Sequence, residues 1–104
     1  MSKSSKLLRL FKQNELMSKI PIDLDPMGSD EVDKEILRAA IIAELDAVNL
    51  YEQMADKCFD SKIKKVLLDV AREEKTHVGE FQEVLLGIDP ECASELEKGK
   101  KEIS

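Results

Sequence analysis

The stretch SKIKKVLLDVAREEKTHVGEFQEVLL, residues 61–86, decides the fold. Within it Ile63, Leu67, Val70, Glu74, His77, Phe81 and Leu85 recur at intervals of three or four, the period of one continuous helical face. The middle of that apolar face is taken by a carboxylate and an imidazole. The preceding stretch LRAAIIAELDAVNLYEQMADKC, residues 37–58, reads the same way. Its seam runs Leu37, Ile41, Glu44, Val48, Tyr51, Ala55 and Cys58, again with a glutamate at the centre. Only Phe59-Asp60-Ser61 separates the two patterns, and so short a connection between long helices implies an antiparallel hairpin.

Working outward, the first long helix is expected to start at Ser29 or Asp30, either of which can cap it, and to run to about Cys58. Asp30, Glu31 and Asp33 place negative charge at the positive end of its dipole. The second helix is expected to stop at Leu86, with Gly87 just past its end. Asp89-Pro90 then caps a third, shorter helix reaching Gly99 or a few residues beyond. Upstream, Pro21, Pro26 and Gly28 break any helix and read as an extended linker. Residues 5–20 read as a weak basic amphipathic helix on Leu7, Leu8, Leu10, Phe11, Leu16 and Ile20. The chain therefore divides into a basic N-terminal arm and linker, 1–29, and a helical domain, 30–104. The fold class is all-α: a two-helix hairpin plus a short C-terminal helix.

Composition agrees with this. Of 104 residues, 42% are hydrophobic, 37% charged and only 4% aromatic, which favours ordered helices over strands or disorder. The net charge of −6 is uneven. Residues 1–20 hold Lys3, Lys6, Arg9, Lys12 and Lys19 against Glu15 alone, so the arm is basic and the body strongly acidic. Such a body suits cations and argues against nucleic acid as a partner. No apolar run approaches the ~20 residues needed to cross a membrane. The start MSKSSKLLRLF has too short an apolar stretch and no small-residue cleavage site for a secretory signal. Cys58 and Cys92, outside any CxxC spacing, fit neither a zinc site nor a disulfide framework, and point to a reduced, cytoplasmic setting.

A buried, unpaired carboxylate costs several kcal/mol or shifts its pKa, so a stable hairpin alone gives no reason for Glu44 and Glu74. Glu74-x-x-His77 is the i, i+3 pair that di-iron and di-manganese bundles use, together with a lone Glu from each remaining helix. Such a dinuclear site needs two of each, whereas this chain has one ExxH pair and a single histidine. A two-fold homodimer supplies the rest: two hairpins form a four-helix bundle, each contributing Glu44, Glu74 and His77. Four carboxylates then balance two divalent cations, with both imidazoles neutral. Carboxylates with a minority of imidazole suit iron or manganese better than copper, although zinc also fits.

The segments AIIAELDAVNLYEQMADK (40–57) and LLDVAREEKTHVGEFQEVLLGIDPE (67–91) resemble the encapsulated ferritins. These are two-helix relatives of ferritin and rubrerythrin found inside encapsulin nanocompartments. The resemblance covers roughly residues 34–98 and is nearest the archaeal form, in which the ferritin-like domain is joined to the capsid protein. It implies a ferritin-like four-helix bundle made by homodimers, assembled into an open ring, a decamer, with a di-iron (Fe) ferroxidase centre at each dimer interface. Glu44, Glu74 and His77 match the metal ligands, Glu74 as the bridging one. Tyr51 matches a tyrosine beside the centre. Asp46 matches one acidic residue of a site through which metal enters. The sequence departs at Ala43, where many bacterial relatives carry a second acid, and at Leu50, where they often carry Trp, so a weakened metal-access site is expected.

The function this implies is oxidation of Fe(II) by O2 or H2O2, for iron mineralisation and storage inside an encapsulin shell. No capsid domain follows Ser104, so the chain reads either as free cargo or as a domain separated from a longer chain. The basic arm is a candidate docking peptide for the shell. One alternative is a rubrerythrin-like peroxide scavenger, weakened by the absence of the two CxxC pairs of a rubredoxin domain. Another is a non-catalytic helical assembly module bridged by a structural metal. Glu73 points about 100° from Glu74 and reads as solvated. Met54 reads as core, and both cysteines as small buried or half-buried residues.

Overall fold

The computed structural model describes residues 23–104, among which there are three helices and no strand. Helix α1 spans Ser29–Lys57, α2 Ser61–Ile88 and α3 Pro90–Ile103. The basic helix expected over residues 5–20 lies outside the described residues. Helices α1 and α2 pack along their length as the expected hairpin, while α3 touches only α2 among the described helices. None of the described helices is long and apolar enough to cross a membrane.

Three boundaries show local chemistry at work, two of them against expectation. Helix α1 is capped by Gly28, not by Ser29 or Asp30. A turn in which Met27 N–H donates to Leu24 O (3.1 Å) delivers Gly28 in an extended conformation, and its carbonyl accepts the first helical bond from Val32. Ser29 thus lies already inside the helix, and no side chain caps this end. Asp30 and Glu31 remain in the first turn, where the dipole favours them.

At the hairpin turn, the Asp60 carboxylate accepts from Lys62 N–H (2.8 Å) and Ile63 N–H (3.0 Å), satisfying two of the orphan donors of α2. Helix α2 does not stop at Leu86. Gly87 stays helical, without the positive φ of a C′ glycine, and the helix continues to Ile88. The stop is imposed by Pro90, whose ring forces the preceding residue out of the α region; Asp89 sits at φ −130°, ψ 82°. Asp89 then ends α2, with its N–H donating to Leu85 O, and begins α3, its carboxylate accepting from Cys92 N–H.

The core is thin. Among the described residues, Val48, Ala55, Ala71 and Leu85 are the buried apolar ones, and no large side chain is fully enclosed. Phe81, Leu67 and Val70 of the expected seam are half-buried, but Ile63 is exposed, and so is Met54, against the expectation of a core position. Two helices can bury only one flank of a seam, so apolar residues a quarter turn away stay in solvent unless another chain covers them. Replacing Asp60 by Ala, which removes the α2 cap, should cost about 1 kcal/mol in a denaturant unfolding experiment on metal-free protein, with Asp60→Asn close to neutral.

Candidate metal centre

Helical period puts Glu44 halfway along α1, and Glu74 and His77 one turn apart on α2. The antiparallel packing then brings the three together. His77 Nδ1 lies 3.6 Å from Glu44 Oε2 and 3.4 Å from Glu74 Oε1. One ligand atom from each residue lies within 4.8 Å of the other two. The carboxylate side chains are 18% and 19% exposed, whereas His77 is 45% exposed, so the cluster is sealed on the hairpin side and open on the other.

Its electrostatics are unfavourable as they stand. Glu44 Oε2 is buried and has no hydrogen-bond partner. The facing Glu74 carboxyl, which favours a shared proton, pushes the Glu44 carboxyl above its ordinary range; burial and repulsion by the Glu74 charge add to this, and His77 offsets part of it. Two carboxylates and an imidazole nitrogen converging around an oxygen that lacks a donor form a donor set suited to a divalent cation. The residues fit a metal, and Glu44, Glu74 and His77 would hold it.

The other candidates lie apart from this cluster. Tyr51 is half-buried on the Glu44 face of α1, about two turns or roughly 10 Å along the helix. Asp46 is exposed and about 200° around α1 from Glu44, on a different face. Glu73 is exposed, as expected. Cys58 and Cys92 are free and half-buried.

Two features went unread in the sequence. Lys75 Nζ pairs with Glu52 Oε2 at 3.0 Å, linking α1 to α2, and Arg38 Nη2 with Asp89 Oδ2 at 3.1 Å, linking α1 to the junction of α2 and α3. Both pairs lie about a quarter turn to one side of the glutamate seam. About a quarter turn to the other side run the exposed Ile36, Leu50 and Met54 of α1, with Val66, Val84 and Ile88 of α2. His77 faces this second, apolar side. Val66, three residues after Ile63 and four before Val70, carried the signal, since it keeps the helical period yet lies beside the seam and not in it.

The Rubrerythrin family profile matches residues 35–103, and the chain belongs to that family, within the ferritin-like group of helical proteins. It is 57% identical over 82 residues to the ferritin-like–encapsulin shell fusion protein of Pyrococcus furiosus, covering 79% of this chain and 24% of that protein. It is 40% identical over 58 residues to the encapsulin nanocompartment cargo protein EncC of Myxococcus xanthus, covering 56% of this chain and 45% of that one. The chain thus spans less than half the length of either relative. The fold matches a crystal structure of the encapsulated ferritin domain from Pyrococcus furiosus with a TM-score of 0.71, at 57% identity over 79% of this chain and 84% of the other.

The raised Glu44 pKa has a testable sign. The folded, metal-free protein holds a proton that the unfolded chain releases near 4.5, so its stability should fall as pH rises from 4.5 through the raised folded value. Thermal melts across this range should show that decline, Glu44→Gln should flatten it, and a divalent cation at neutral pH should reverse it only with Glu44 present.

Proposed function

We propose that this chain is a ferroxidase, oxidising Fe(II) to Fe(III) at a di-iron centre shared across a two-fold dimer interface. The observation that carries the reading is the buried Glu44 Oε2, without a hydrogen-bond partner and facing Glu74 and His77 Nδ1. Glu44, Glu74 and His77 are the proposed ligands, with Tyr51 in an accessory role about two turns along the same face of α1 and Asp46 at a weakened access site on a different face. Iron bound there supplies a one-electron Fe(II)/Fe(III) couple, with O2 or H2O2 as the terminal electron acceptor. The carboxylates lose any shared proton on binding and neutralise the cation; the imidazole binds as the neutral form.

The homodimer reading is supported by what the hairpin leaves uncovered. One chain supplies two carboxylates and one imidazole, half of the ligand set of a dinuclear bundle site. The side that His77 faces is apolar and exposed, Val66 to 60%. A second hairpin on this side would complete a four-helix bundle and close the open flank of the cluster. Ile42, Leu45 and Leu68 are exposed on the opposite side, a second apolar surface of the kind a decameric ring of dimers requires. The two named relatives are encapsulin-associated, and by analogy an encapsulin shell is the partner. Mineralisation and storage would then take place inside a cytoplasmic nanocompartment. The proposed division into an arm and linker, 1–29, and a ferritin-like domain, 30–104, stands with this reading.

Anaerobic loading with Fe(II) followed by air should give ferric absorbance that grows beyond two irons per dimer, and Glu74→Ala or His77→Ala should abolish it. Binding that stops at stoichiometry and stays inert would instead identify a structural metal site. Separately, Val66→Lys places a charge on the exposed stripe. It should leave hairpin helicity near wild type by circular dichroism, yet shift light scattering from dimer or larger to monomer and remove the oxidation.

A further inference from the structure

We propose that Arg38 and Asp89 form a latch that fixes the direction of α3 relative to the hairpin, Arg38 acting as a positioning residue for the C-terminal helix. Pro90 disfavours helical dihedrals at Asp89, which sits at φ −130°, ψ 82°, and so sets the break between α2 and α3. A break does not by itself choose a direction. Packing among the described helices does little to choose one either, since α3 has no buried residue and touches only α2 of them.

What does constrain the junction is one side chain. Asp89 Oδ2 accepts from Arg38 Nη2 of α1 at 3.1 Å, and Oδ1 accepts from Cys92 N–H of α3 at 3.0 Å. Its own N–H donates to Leu85 O of α2 at 2.9 Å. A single residue is therefore bonded to all three helices. The carboxylate is only 11% exposed, and Arg38 is held in turn by Glu35 Oε2 at 3.5 Å. The Cys92 N–H bond first, then the Arg38 bond and the positive charges of Lys34 and Arg38, keep the Asp89 carboxyl ionised below the usual range.

An exposed ion pair of this length would be weak, but this one is partly buried and backed by a capping bond at the same carboxylate. Geometrically, the Arg38 bond ties the first turn of α3 to α1 fifty-one residues earlier in the chain. The latch thereby decides where the exposed Leu96 and Ile103 of α3 are offered to any neighbouring chain.

Two substitutions separate the latch from the cap. Asp89→Asn keeps an acceptor for Cys92 N–H and removes the ion pair; Arg38→Ala removes the pair and leaves the cap. The test uses spin labels at Gln53→Cys on α1 and Lys98→Cys on α3, both exposed sites, in a Cys58→Ser, Cys92→Ser background. The full chain is measured metal-free by pulsed dipolar spectroscopy, diluted into unlabelled chain so that only pairs within one chain contribute. With Arg38 and Asp89 intact, one narrow distance is expected. Arg38→Ala and Asp89→Asn should broaden it with helicity unchanged, and Arg38→Lys should recover part of the narrow component. If Arg38→Ala loses helicity, the comparison of Asp89→Asn with Arg38→Lys decides. A broad distance with the pair intact, or an unchanged narrow one in Asp89→Asn, overturns the proposal.

Discussion

Two carboxylates pressed against one imidazole on the inner face of a hairpin are the constraint around which the rest is arranged. Such a cluster destabilises a helical pair in the absence of a cation, because burial and like charge both oppose ionisation of Glu44. The hairpin around it has little to spare: among the described residues four apolar side chains are buried, three of them Val or Ala, and no large one is fully enclosed. The same sequence that leaves an electrostatic deficit thus leaves a packing deficit. A second copy of the chain with divalent cations between would answer both, coupling metal binding to assembly.

The sidedness of the hairpin follows from the same period that placed the ligands. On one side of the seam, polar links join α1 to α2 and to the head of α3, through Glu52–Lys75 and Arg38–Asp89. On the other, Ile36, Leu50, Met54, Val66, Val84 and Ile88 flank the open edge of the cluster. Polar bridges thus link the helices on one side of the cluster, and exposed apolar side chains border its open edge on the other.

Much of this is legible in the amino-acid sequence alone. Glu44, Glu74 and His77 stand out because each interrupts an apolar period at a position where burial should have excluded it, and three-dimensional proximity follows from pairing two such seams. The misplaced residues share one cause. Ile63 and Met54 satisfy the helical period, but a period identifies a face without saying whether the same chain or another covers it. Gly87 resembles a helix end on residue type alone. The steric demand of Pro90 on Asp89 outweighs it and carries α2 on to Ile88. The absent side-chain cap on α1 and the Arg38–Asp89 bond are illegible for a different reason: one depends on a turn just upstream, the other on a contact between residues fifty-one apart in the chain.

That one chain holds half a site is tested most directly by native mass spectrometry of the protein titrated anaerobically with Fe(II), which reads iron and chain number in the same ion. Iron-loaded dimers, or multiples of them, are expected to carry two irons per pair of chains, with monomers free of iron. Iron held stoichiometrically by monomers, with no gain in dimer as iron is added, would contradict the shared centre.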